Sequence, residues 1–171
     1  MAWTKLIPQY LGIPYRRNSL STYTPDDVLA GKGSIKAINQ LTRRLAKKEK
    51  VDLFRLSNKE IYNFQKKHHI GIDCSGLVCH LLNLPYNPRK TNANMLTSPP
   101  LAHPVELTAI KSGDLVRQKN GHHVVIIIKK IGDQIEYIES SQAARGVVKG
   151  KTSLNNSEFF KDGVWRLFLF D

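Results

Sequence analysis

A chain of 171 residues is expected to form one domain with a core of its own, and its two cysteines, close together in sequence, exclude a disulfide framework. No apolar run approaches the length of a membrane-spanning helix, and the opening Met-Ala-Trp-Thr-Lys-Leu-Ile-Pro lacks the basic and apolar segments of a signal peptide, so none is expected. The net charge of +12, from 26 basic and 14 acidic residues, suits an anionic polymer (nucleic acid, lipid headgroups or an acidic wall polymer), but no aromatics interleave with the basic runs as a stacking platform requires, and a solvated surface is the simpler reading.

Residues 1–23, with Pro8 and Pro14 and few periodic apolar positions, read as irregular. Thr24-Pro25-Asp26-Asp27 reads as the start of a short helix, with Thr24 as cap and Pro25 in the first turn, ended by Gly31-Lys32-Gly33. Ser34 then caps a helix to about Lys48, with Ile35, Ile38, Leu41 and Leu45 on one face and basic residues on the other. Val51–Leu56 is a short apolar link. Ser57 and Glu60 form a capping box for a helix carrying Ile61 and Phe64 that ends near His69, before Gly71.

The next stretch carries the chemistry. Asp73 is a good N-cap, and Leu77, Leu81 and Leu82 follow at helical spacing with Val78 beside them. Cys74 is therefore expected in the first turn of a buried helix, beside unpaired N–H groups and the positive end of the helix dipole, a setting that favours a thiolate. Small Ser75 and Gly76 let another chain or a substrate come close. Cys74 is the candidate nucleophile; Cys79, inside an apolar run, reads as an inert buried cysteine. His68, His69, Cys74, Cys79 and His80 fit no common zinc spacing, so neither a metal nor another cofactor is expected.

Asn83–Pro104 is rich in Pro, Asn and Thr and reads as a long loop bordering a substrate groove, with Met95 and Leu96 as anchors. Strands follow: Leu115–Arg117, a turn at Lys119-Asn120-Gly121, a strand His123–Ile128 buried on both faces, a turn at Gly132-Asp133, then Gln134–Ser140, Gly146–Val148 and Trp165–Phe170. Helices first and hairpin-linked strands second imply an α+β fold with an antiparallel sheet.

A cysteine nucleophile needs a base and a group that orients the base. His122 and His123 open the central strand. The hairpin at Gly132-Asp133 returns the next strand beside them, with Glu139 and Ser141 on one face, displaced from His123 by about a residue pair. Glu139 is suited to accept the imidazole N–H; Ser140, Ser141 and Gln142 stay open as alternatives because register is not readable here.

Asp73-Cys74-Ser75-Gly76-Leu77-Val78, Gly113-Asp114-Leu115-Val116 and His123-Val124-Val125-Ile126 together resemble the NlpC-type cell-wall peptidase family of papain-like cysteine peptidases. The resemblance covers roughly residues 72–147 and implies a papain-like domain, residues 1–70 being its helical N-terminal extension. It implies Cys74 as nucleophile, His123 rather than His122 as base, and Glu139 as the third residue, where the family more often has His, Asn or Gln. Pro85 and Arg89-Lys90-Thr91 loosely resemble its Leu-Pro-Arg segment. The family places a Pro-Tyr and paired glycines shortly before the nucleophile, the Tyr near the oxyanion site; here Pro14-Tyr15 lies far upstream without the glycine pair, and Tyr62 is nearer. The implied activity is hydrolysis of an amide through a thioester, on a peptide or peptidoglycan fragment. An acyltransferase or transamidase on the same fold and a non-catalytic basic binding module are the alternatives.

Overall fold

The computed structural model describes residues 2–17 and 26–171. Thr24 and Pro25, expected to open a helix, lie outside them. Residues 27–31 form turns rather than a helix, with Asp26 Oδ1 accepting from the backbone N–H groups of Val28 at 2.8 Å and Leu29 at 3.4 Å. The irregular opening is corrected too: a 3-10 turn Ala2–Leu6 runs into a short helix α1, Ile7–Tyr10. Two prolines hid it, yet Pro8 sits in its first turn, where a missing N–H costs nothing. Ile7, Tyr10 and Ile13 join the main core, and the Tyr10 hydroxyl accepts from Ile35 N–H at 3.1 Å.

Helix α2 spans Ile35–Glu49, with Ser34 Oγ accepting from Ala37 N–H. Helix α3 spans Asn58–Lys67 behind a complete capping box: Ser57 Oγ accepts from Glu60 N–H while Glu60 Oε2 accepts from Ser57 N–H. The apolar link between them holds a 3-10 turn, Leu53–Arg55. Helix α4 is Cys74–Leu81.

The segment expected to be loop contains α5, Ala93–Leu96, and an edge strand β1, Ala102–Val105. Pro104 disguised β1, since proline cannot serve a central strand but is tolerated at an edge. Leu96 is fully buried in the main core, whereas Met95 is 41% exposed and outside both apolar clusters. Strands β2 (Leu115–Gln118), β3 (His123–Ile131), β4 (Gln134–Ser141), β5 (Gly146–Ser153) and β6 (Val164–Leu167) complete a six-stranded sheet of order β1-β6-β2-β3-β4-β5, with every neighbouring pair antiparallel.

Both faces of this sheet are covered, which explains the continuous apolar run of β3. Val124 and Ile126 face the cluster containing Ile38, Leu77 and Leu81; Val125 and Ile127 face a second cluster with Ile110 and Phe160. The last strand stops at Leu167, and Phe168–Phe170 forms an exposed 3-10 turn. Asp114 at the head of β2 grips Arg166 of β6 with both oxygens, to Nε and Nη2, each at 2.8 Å. The Gly-Asp-Leu motif thus has a structural task. Among the described residues no helix is long and apolar enough to cross a membrane.

Candidate active site

Three chain segments meet where α4 begins. Ile72 N–H donates to Pro14 O at 3.0 Å, Arg16 N–H donates to Ile72 O at 3.2 Å, and Asp73 N–H donates to Gly31 O at 2.9 Å. A side chain at Gly76 would place its Cβ 2.7 Å from Gly31 O, so glycine there is what admits the neighbouring strand of chain. Asp73 caps the helix as expected, Oδ1 accepting from Gly76 N–H at 2.6 Å. Cys74 is the first residue of α4, and its side chain reaches the floor of a cleft of about 650 Å³ lined by Tyr15, Arg17, Asn92, Asn94 and His122 among others.

Helix α4 packs across β3 and β4, which brings the head of β3 to this cleft. His123 is the first residue of β3 and 6% exposed. The β3–β4 ladder pairs Ile126 with Ile138; continued towards the head of β3 it brings Ser141 level with His123 and Glu139 diagonal to it on the same face. The diagonal residue makes the contact: His123 Nε2 meets Glu139 Oε2 at 2.8 Å. Ser141 Oγ accepts from Ala144 N–H, Ser140 Oγ donates to Ile72 O at 2.7 Å, and Gln142 is exposed, so the choice among them falls on Glu139. His122 lines the cleft wall one residue away and faces outward.

Burial alone would press the His123 imidazole towards its neutral form, but hydrogen bonding to Cys74 and Glu139 and the charges of both outweigh it and push the ring up to about 9. Burial likewise works against the charge on Glu139, yet His123, Ser141 and Lys119 together hold its carboxyl below the usual range. At neutral pH the ring is an imidazolium donating Nε2–H to Glu139 and leaving Nδ1–H for the sulfur. Because the folded value lies above the ordinary 6.5, the stability carried by His123 is whole below about pH 6.5 and is lost as pH rises through about 9. Glu139, with its value lowered, contributes above its ordinary 4.5 and loses that contribution in acid. Melting curves are therefore expected to show wild type exceeding His123→Gln most between about pH 5 and 6.5, with the gap closing towards pH 10.

Cys79 behaves as an inert core residue: burial pushes its thiol up to about 11. His80 and His68 are engaged elsewhere, His80 Nε2 donating to Lys32 O at 2.8 Å and His68 packing its ring at a tilt against Phe64 beside Glu49. Among the described residues no three His, Cys, Asp or Glu side chains converge as metal ligands.

Tyr15 is the residue whose place the linear spacing misjudged. It is remote in sequence, yet its backbone pairs with Ile72 and its ring lines the cleft beside Cys74. Burial, then the proximity of Cys74 and Asp73, push its hydroxyl up, so it remains a donor at neutral pH. Tyr62, nearer in sequence, instead donates to Arg145 O at 2.9 Å. Arg17 and Asn92, also on the cleft, and Lys32, which bonds Asp73 and Ser75, have no local sequence signature of a site; the Pro14-Tyr15 dipeptide is the one available signal. No model of a known protein family matches the chain, and a search of curated proteins finds no match.

Proposed function

We propose that this protein is a cysteine peptidase or amidase of papain-like architecture, cleaving an amide bond through a thioester. The observation that carries the reading is that His123, at the head of β3, meets both Glu139 of β4 and Cys74, which opens α4 and lines the cleft. The Cys74 thiolate, held by the His123 imidazolium, attacks the carbonyl carbon. In this reading the Cys74 backbone N–H at the start of α4 and the Tyr15 hydroxyl, which lines the same cleft, donate to the developing oxyanion. His123 then gives its proton to the leaving amine, and water, deprotonated by the same ring, hydrolyses the thioester. Glu139 keeps the ring oriented throughout.

The substrate class rests on the resemblance of Asp73-Cys74-Ser75-Gly76, Gly113-Asp114-Leu115 and His123-Val124 to the NlpC-type peptidases: a stem peptide of peptidoglycan. Incubation with purified stem-peptide fragments, read by mass spectrometry, is expected to yield one new amine and one new carboxylate with wild type and none with Cys74→Ala. Iodoacetamide at neutral pH is expected to label Cys74 well ahead of Cys79. A labelling rate at Cys74 equal to that of an ordinary thiol, with no cleavage, would overturn the reading; acyl transfer to an added amine in place of hydrolysis would redirect it to a transamidase.

A further inference from the structure

We infer that Lys32 is a positioning residue for Cys74, clamping the nucleophile helix at both ends and tying it to the cleft wall; this rests on reading Cys74 as the nucleophile. The Lys32 side chain is 0% exposed. All three of its N–H donors have partners: Asp73 Oδ2 at 2.8 Å, Ser75 Oγ through a short hydrogen bond, and Thr91 O at 3.1 Å. Asp73 and Ser75 flank Cys74 in sequence. Thr91 leads directly into Asn92, Ala93 and Asn94, which form the cleft wall. The backbone of Lys32 holds the far end of α4, its carbonyl accepting from His80 Nε2, and its N–H donates to Asp27 O at 2.7 Å.

A buried ammonium is an expensive way to fill space, and an apolar side chain of similar volume packs as well without the desolvation cost. What the charge adds is direction. Asp73 uses Oδ1 to cap Gly76 N–H and Oδ2 to meet Lys32, so its carboxylate cannot rotate. Burial drives Asp73 towards its neutral form and Lys32 opposes it. Without Lys32 the first turn of α4 would lose the one group that ties Asp73, Ser75 and Thr91 together through charge, and the sulfur would be freer to drift from the His123 ring. The flanking glycines serve the same clamp: Gly31 has φ +75°, and a Cβ there would run into Arg16 O.

The test uses the pH profile of Cys74 alkylation by iodoacetamide in the full chain. The double variant Lys32→Met/Asp73→Asn leaves no unpaired charge and keeps an N-cap oxygen, so it is expected to melt near wild type. Its alkylation at pH 7 is expected to fall about tenfold, because small misplacements of a reacting atom carry losses of this order. Its pH profile should move away from that of wild type towards that of an ordinary free thiol. Ser75→Ala removes one ligand of the ammonium and changes no charge. It is expected to give a smaller loss in the same direction, and it decides the question if the double variant fails to fold. Wild-type rate and profile in a folded double variant, or in Ser75→Ala where that variant is the one that folds, overturn the inference while leaving the nucleophile standing. A wild-type protein whose Cys74 reacts like an ordinary thiol would instead remove the nucleophile itself.

Discussion

His123→Ala is expected to lower kcat for stem-peptide hydrolysis by about 10⁴-fold and Cys74→Ala by at least as much, and combining the two lowers it no further than the worse single change. In the proposed mechanism the two side chains act as one device: the ring holds the sulfur and later protonates the amine, so once either is gone the other has no step left to perform. Glu139→Gln makes a different kind of variant. It keeps an acceptor for Nε2–H at the 2.8 Å contact but removes a charge that helps raise the ring to about 9. The imidazolium then gives up its proton at lower pH, so the alkaline limb of the kcat profile moves to lower pH while some activity remains. Measured kcat across pH for wild type and the four variants, with circular dichroism confirming that each is folded, checks the set. Additive losses from Cys74→Ala and His123→Ala would mean that the two do not share a reaction.

Cys74 and His123 were legible in the sequence because each stands at the boundary of an element with strong local signals. Asp73 and the spacing of Leu77 and Leu81 locate the start of α4; the β-branched run after Gly121-His122 locates the head of β3. Period-two alternation from Gly132-Asp133 then puts Glu139 and Ser141 on one face, although the register that decides between them is a tertiary matter. The places of Tyr15 and Lys32 were not legible. Both reach α4 through backbone pairing with Ile72, across the whole of α2 and α3 in sequence, and no local pattern encodes such a meeting. The Gly31-Lys32-Gly33 run read as a helix stop, whereas its lysine is buried. The chain end misled in the opposite sense: Trp165–Phe170 has the composition of a strand, but its neighbour β1 begins at Ala102, opposite Leu167, and Phe168 N–H donates to Leu101 O beyond the end of the ladder. A strand ends where its partner does, whatever its own residues prefer.

Asp114→Ala is expected to destabilise the fold by about 3–5 kcal/mol, since it strands a buried guanidinium. At about 2–4 °C per kcal/mol for a chain of this size, the midpoint of melting should fall by roughly 6–20 °C. The pair is well made: Asp114 meets Arg166 through both oxygens at 2.8 Å, Oδ2 also accepts from Lys111 N–H at 2.7 Å, and Arg166 Nη2 also donates to Ala109 O at 2.9 Å. Asp114→Leu/Arg166→Met removes both charges, so most of the loss should return. It should not return in full, because Lys111 N–H and Ala109 C=O lose partners, at about 1 kcal/mol each. Cys74 alkylation at 20 °C should be near wild type in the double variant, for the pair joins β2 to β6 while the reacting groups lie on α4, β3 and β4. If the single and double variants melt together, the cost comes from lost packing at the head of β2 and not from the stranded charge. If alkylation falls with stability intact, β2, which pairs Gln118 with His123, carries strain from the Asp114 clamp to the ring.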